Sequence, residues 1–160
     1  MIAHLGRDYE AALSAIERAL SFNASSAAAL YFGSHIHSIR GNCARANDYA
    51  SRALRLSPFD PWAFAAHVAF AIAALKEARY DEAASHLARS AQANSTFTSP
   101  RFLQAMALAL AGSMEEARQV ARGALKLQPG FRTRMVFEMG LLPEFADKFA
   151  EGARLLGLPD

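Results

Sequence analysis

The chain has 160 residues, 52% of them hydrophobic and 20% charged, and a formal net charge of +2, which is the size of one domain with a real core and too small a charge excess for a nucleic-acid footprint. One cysteine excludes an intramolecular disulfide and a multi-cysteine metal site. The longest nearly uncharged apolar run, 63–75, is shorter than the roughly 18 residues of a membrane span, and no basic n-region precedes an apolar stretch, so a soluble cytoplasmic chain is expected.

Alanine fills more than a fifth of the chain, Gly and Pro are few, and the runs of Val, Ile and Thr that mark strands are missing. Alanine is the best helix former and lets helices approach closely, so an all-α fold is predicted. Periodicity and stop signals predict helices over 8–22, 27–40, 43–56, 61–77, 80–93, 99–111 and 114–127. A short helix near 131–139 and a terminal one over 143–156 complete the series. Asp8, Asn42 and Ser113 stand as N-caps, with Ser113 and Glu116 at capping-box spacing. Pro58 and Pro129 stop helices, and Asp60-Pro61 and Ser99-Pro100 restart them with a cap and a proline at the first helical position. In the terminal helix Phe145, Phe149 and Leu156 share an apolar stripe, and Glu144 and Lys148 form an i,i+4 pair.

A repeat runs through this order. Asp8-Tyr9-Glu10-Ala11-Ala12 aligns with Asn42-Cys43-Ala44-Arg45-Ala46, Arg79-Tyr80-Asp81-Glu82-Ala83 and Ser113-Met114-Glu115-Glu116-Ala117, at intervals of 34, 37 and 34 residues. Seven residues after each closing alanine stands a second small residue: Ala19, Ala53, Ser90 and Ala124. Two turns apart, each pair marks a narrow face where another helix can lie.

A helix–turn–helix unit of this period and small-residue pattern resembles the tetratricopeptide (TPR) repeat family over about 8–131. The resemblance implies a solenoid of helical hairpins wound as a right-handed superhelix, with a half repeat at 8–26, repeats at 27–60, 61–97 and 98–131, and a C-terminal cap at 132–160, all within one domain of 1–160. Matched onto the family pattern, the small residue of helix A is Ser34, Ala71 and Ala105, and the turn residue is Gly41, Ala78 and Gly112. Ala12, Ala46, Ala83, Ala117, Ala19, Ala53 and Ala124 match its packing alanines. The large residue early in helix A is Leu30, then His67, then Arg101, a departure from aromatic anchoring. Leu56-Ser57-Pro58-Phe59-Asp60-Pro61, together with 131–135 and 146–155, is similar to the C-terminal TPR regions of bacterial class III adenylate/guanylate cyclases. That similarity implies a regulatory or interaction module of a signalling protein, with any cyclase domain outside these residues.

Two surfaces follow as expectations. Segment 8–22 matches the second helix of a repeat and lacks its partner, which leaves Tyr9, Leu13, Ile16 and Leu20 without their usual cover. Either the chain is cut from a longer protein, the favoured reading, or this face packs on another copy. The family places helix A on the concave face, so Tyr31, His35, Ser38, Val68, Ile72, Lys76, Phe102, Met106 and Ala109 are expected to line a groove. Mostly apolar, they suit an amphipathic helix or apolar segment and not an acidic peptide terminus. The alternative is that the protein's own segments fill the groove and make these residues core.

Catalytic signals are absent: no phosphate loop, zinc-protease motif or nucleophile elbow occurs. His35 and His37 point about 200° apart on a helix and cannot share one ion unaided, and no cluster surrounds His67 and His86. Cys43 replaces the Tyr9 and Tyr80 of other repeats and reads as a packing residue. Arg45, Arg52, Arg55, Arg118, Arg122 and Lys126 read as solvated outer charge, with RNA or membrane-surface binding as the alternative. The expected function is therefore a non-catalytic interaction module without cofactor or metal. Its partner is a protein or peptide, with a homodimer in reserve and neither nucleic acid nor membrane expected; a self-associating scaffold and a nucleic-acid-associated TPR protein are the competing functions.

Overall fold

Asp8 opens the first helix by accepting the Ala11 amide at 2.9 Å, and Asn42 does the same for Arg45 at 3.4 Å. The computed structural model describes residues 8–160, so 1–7 of the expected 1–160 unit lie outside the described residues. Described residues form eight α-helices and no strand: α1 (Tyr9–Phe22), α2 (Ala27–Ile39), α3 (Cys43–Leu56), α4 (Ala63–Lys76), α5 (Tyr80–Ala93), α6 (Ser99–Leu110), α7 (Met114–Leu127) and α8 (Pro143–Leu156). A 3-10 segment, Thr133–Met139, stands where a short helix was expected.

The helix starts depart from expectation in three places. Asp60 accepts the Trp62 amide at 2.9 Å and makes Asp60-Pro61-Trp62 a turn, so α4 begins at Ala63 and not at Pro61. Thr98, not Ser99, is the cap residue of α6, and its hydroxyl is engaged by the Gln128 side chain instead of an amide of the helix. The Ser113 hydroxyl makes no capping bond, although the Ser113 carbonyl accepts the Ala117 amide at 2.9 Å.

The three turns that close α2, α4 and α6 share one geometry. Gly41, Ala78 and Gly112 all have positive φ, at 79°, 56° and 86°. In each, the next amide reaches back to the helix: Asn42 to His37 O, Arg79 to Ala74 O and Ser113 to Leu108 O, all at 2.9 Å. Connections this short make successive helices antiparallel, so α1, α3, α5 and α7 run one way and α2, α4 and α6 the other.

Small residues set the helix spacing. Ala46, Ala53, Ala83, Ser90, Ala117 and Ala124 are completely buried, and Ser90 donates to Phe64 O at 3.0 Å. Their counterparts on α1 are not: Ala12 is half-buried and Ala19 exposed. The helices enclose two apolar clusters, one around Leu30, Tyr31 and Tyr49, the other running from Val68 and Ile72 through Phe102 and Met106 to Phe145 and Phe149.

The C-terminal segment then doubles back. Phe131 stacks on Phe102 at 3.7 Å between centroids. The chain recrosses to the far end of α2, where the Leu142 amide donates to Ile39 O at 3.1 Å. From there α8 returns past Tyr80, whose hydroxyl is 3.4 Å from Lys148 Nζ, and packs on α6, also touching α4. Thr133 closes the path by donating to Pro159 O at 2.7 Å.

Candidate functional site

The nine residues expected to line an open groove are placed otherwise. Val68, Ile72, Phe102, Met106 and Ala109 do converge from two helices, but into the core, in one buried apolar cluster with Phe145 and Phe149 of α8. The two phenyl rings are 1% and 0% exposed. At Gly152 the two backbones meet: a Cβ there would lie 2.8 Å from the Met106 carbonyl carbon and 2.9 Å from its Cα, and would press on the Met106 oxygen. This face is therefore closed by the chain itself, because α8 carries the Phe-x-x-x-Phe spacing and the glycine needed for backbone approach.

Tyr31 belongs to the other cluster; it is buried and donates to Ser57 O at 2.7 Å. Burial, then the Asp60 charge, pushes its phenol up to about 12. Ser38 is buried and donates to His35 O at 2.7 Å. His35 is half-buried, its Nδ1 finds no hydrogen-bond partner among the described residues, and burial pushes it down to about 4. Lys76 alone of the nine is exposed.

The N-terminal face stays partly open. Tyr9, Leu13, Ile16 and Leu20 are half-buried, and no residue of α1 is fully buried. α2 lies on one side of α1, Arg40 stands 5.3 Å over the Tyr9 ring, and Ile16 packs beside Gly33. By contrast α3 lies between α2 and α4, and α5 between α4 and α6.

A network absent from the sequence reading fastens α1 to α3. Tyr49 donates to Glu17 at 2.7 Å, Arg45 approaches Glu17 at 3.7 Å, and Arg52 donates to Ala24 O at 3.1 Å. Arg45 and Arg52 also stand over the Tyr49 ring at 5.8 and 5.6 Å. Two of the arginines read as solvated charge are thus structural, tied to Glu17 and to the Ala24 carbonyl. An open concavity of about 390 Å³ lies along this network, and another of about 450 Å³ is lined by Arg101, Gln104 and Gln119 between α5, α6 and α7.

The histidines and the cysteine offer little chemistry. His67 and His86 stack at 6.3 Å, and Glu82 lies 3.8 Å from His86. Burial, then the neighbouring His86 and Arg89, pushes His67 down to about 4, so the stacked pair is neutral near pH 7. No group of three or more His, Cys, Asp or Glu that could hold a metal occurs among the described residues. Cys43 is half-buried against the larger cluster, and burial pushes its thiol up, away from nucleophile character. Compared with protein-family models and with curated proteins, the chain matches none.

Proposed function

We propose that the chain is a non-catalytic protein-interaction module of the TPR type, a right-handed solenoid whose capping helix α8 occupies its concave side. Odd helices beginning at Tyr9, Cys43, Tyr80 and Met114 support that reading, as do the left-handed turn residues Gly41, Ala78 and Gly112. The observation that carries the interaction role is the seam on α1. Ala12 is half-buried and Ala19 exposed, whereas the equivalent small residues of α3, α5 and α7 are completely buried under an even helix. A partner's helix laid across Ala12 and Ala19, with Leu13 against it, completes the pattern. The signalling host, such as a class III cyclase, rests on the sequence motifs of 56–61, 131–135 and 146–155 alone.

A second copy of the chain is the other occupant the seam suits, because two alanines seven residues apart let two identical α1 helices approach closely. Two measurements separate the readings. Light scattering across concentration detects the dimer, which Leu13→Glu weakens. A synthetic peptide with the α2 sequence, a surrogate for the covering helix, should shift the amide resonances of Ala12 and Ala19 in the wild type and not in Leu13→Glu. A strictly monomeric protein that also ignores the peptide would remove the seam as an interaction site.

A further inference from the structure

Exposed apolar side chains collect on one edge. The loops 23–26, 57–62, 94–98 and 128–132 lie together there, as three contacts show. Arg52 reaches Ala24 O at 3.1 Å, the Phe64 and Phe97 rings are 5.4 Å apart, and Thr98 meets Gln128. Phe22 and Phe59 are 91% and 97% exposed on this edge, and Leu56, Phe97 and Leu127 also face solvent; elsewhere only Phe137 and Leu155 are exposed large apolar residues among those described.

Charge is sorted along the same axis. Arg55 and Lys126 stand in the last turns of α3 and α7, with Arg18 and Arg89 about one turn back on α1 and α5. All four are exposed, and none forms a salt bridge among the described residues. Asp60, held in its turn by the Trp62 amide, is the one acidic side chain in these loops. The opposite edge holds Asp81, Glu82, Glu115, Glu116 and Glu144, which outnumber its basic Arg40, Lys76 and Arg79, the last of them paired with Glu77 and Glu82. Basic residues at helix C-termini complement the helix dipole and need no partner. Phenyl rings at loop tips gain nothing from that dipole.

We propose that this edge docks on an anionic lipid bilayer surface, the phenyl rings of Phe22 and Phe59 entering the interface while Arg55, Lys126, Arg18 and Arg89 meet lipid phosphates and carboxylates. The charge is complementary to such a surface and the opposite edge is not. A bilayer takes separate protruding rings, whereas a protein partner needs a shaped seat. The rings here are separated by polar residues such as Asn23, Ser25, Asn94 and Thr96, and neither concavity includes Phe22, Phe59 or Phe97. No helix is long and apolar enough to cross a membrane, so the contact is peripheral.

Trp62, the sole tryptophan, lies on this edge beside Phe32 and Phe64 and reports the contact directly. The full chain is mixed with phosphatidylcholine vesicles with and without phosphatidylserine, the phosphatidylcholine acyl chains brominated to quench tryptophan. The chain should co-sediment with the phosphatidylserine vesicles, with Trp62 quenched and with binding weakened by salt. Phe59→Ser should lower the partition roughly tenfold, and Arg55→Glu with Lys126→Glu should abolish the preference for phosphatidylserine. Phe137→Ser, away from the edge, should change nothing. Three results would overturn the proposal: no binding to phosphatidylserine vesicles at low salt, binding untouched by Phe22→Ser and Phe59→Ser, or those substitutions changing only the protein's self-association, which would make the edge a protein interface.

Discussion

Replacing Gly152 by alanine tests how α8 sits on α6. In an isolated helix the change is favourable by up to about 1 kcal/mol, because alanine restricts the unfolded chain. Here the new methyl would meet Met106 backbone atoms at 2.8 and 2.9 Å, and backbone cannot rotate away as a side chain can. To restore ordinary contact, α8 must lift by about 1 Å, loosening Phe145 and Phe149; overpacking of this kind costs about 1–3 kcal/mol. The balance is a loss of about 0.5–2 kcal/mol. Gly123 supplies the control, since it lies in α7 with nothing within 4 Å of its would-be methyl. Gly123→Ala should stabilise by about 0.5–1 kcal/mol. Urea unfolding followed by circular dichroism measures both, and the midpoints should move in opposite directions. A Gly152→Ala variant as stable as the wild type, beside a stabilised Gly123→Ala, would refute the backbone contact between α8 and α6.

Three further outcomes are expected. Ala78 holds φ 56°, where a side chain is strained and glycine is not, so Ala78→Gly should raise stability by about 0.5–1 kcal/mol, read from the same urea curves. The histidines should give an acid-sensitive fold: His35 and His67 stay neutral in the native chain down to about 4 but protonate near 6.5 when unfolded, so the unfolded state binds more protons between these values. Their stabilisation is complete above pH 6.5 and is lost as pH falls toward 4; a midpoint that stays flat from pH 7 to about 5 would contradict the assignment. Purified chain given ATP or GTP with a divalent metal should form no cyclic nucleotide, and turnover surviving repurification would end the non-catalytic reading.

The helix ends were legible because local chemistry decides them. Asp8 and Asn42 cap as their types suggest, and glycine at 41 and 112 marks turns that require positive φ. Ser99 misled as a cap because the helix already includes it, and Thr98 before it has a distant partner in Gln128, which no local pattern carries. The site was harder to read. Apolar residues at helical spacing, such as Phe102 and Met106, look alike whether they line a groove or fill a core. One signal did separate the cases: α4 is apolar on every side, with residues from Ala63 to Leu75 nearly all buried, and a helix without a polar face has no side for solvent. Gly152 was no such signal, because Gly123 is just as interior to α7 and has nothing within 4 Å of its would-be methyl. The links among Glu17, Tyr49 and Arg45 were illegible because they join positions about thirty residues apart.

The central claim is that the C-terminal helix packs on α6 and closes the larger apolar cluster, and a nuclear Overhauser measurement on the full chain tests it most directly. Gly152 and Met106 are 46 positions apart, yet their backbones are in van der Waals contact. The account predicts strong cross-peaks from the Gly152 α-protons to the Met106 α-proton, accompanied by contacts from the Phe145 and Phe149 rings to the larger apolar cluster. Cross-peaks from Gly152 confined to α8 itself, with Met106 open to solvent, would contradict it.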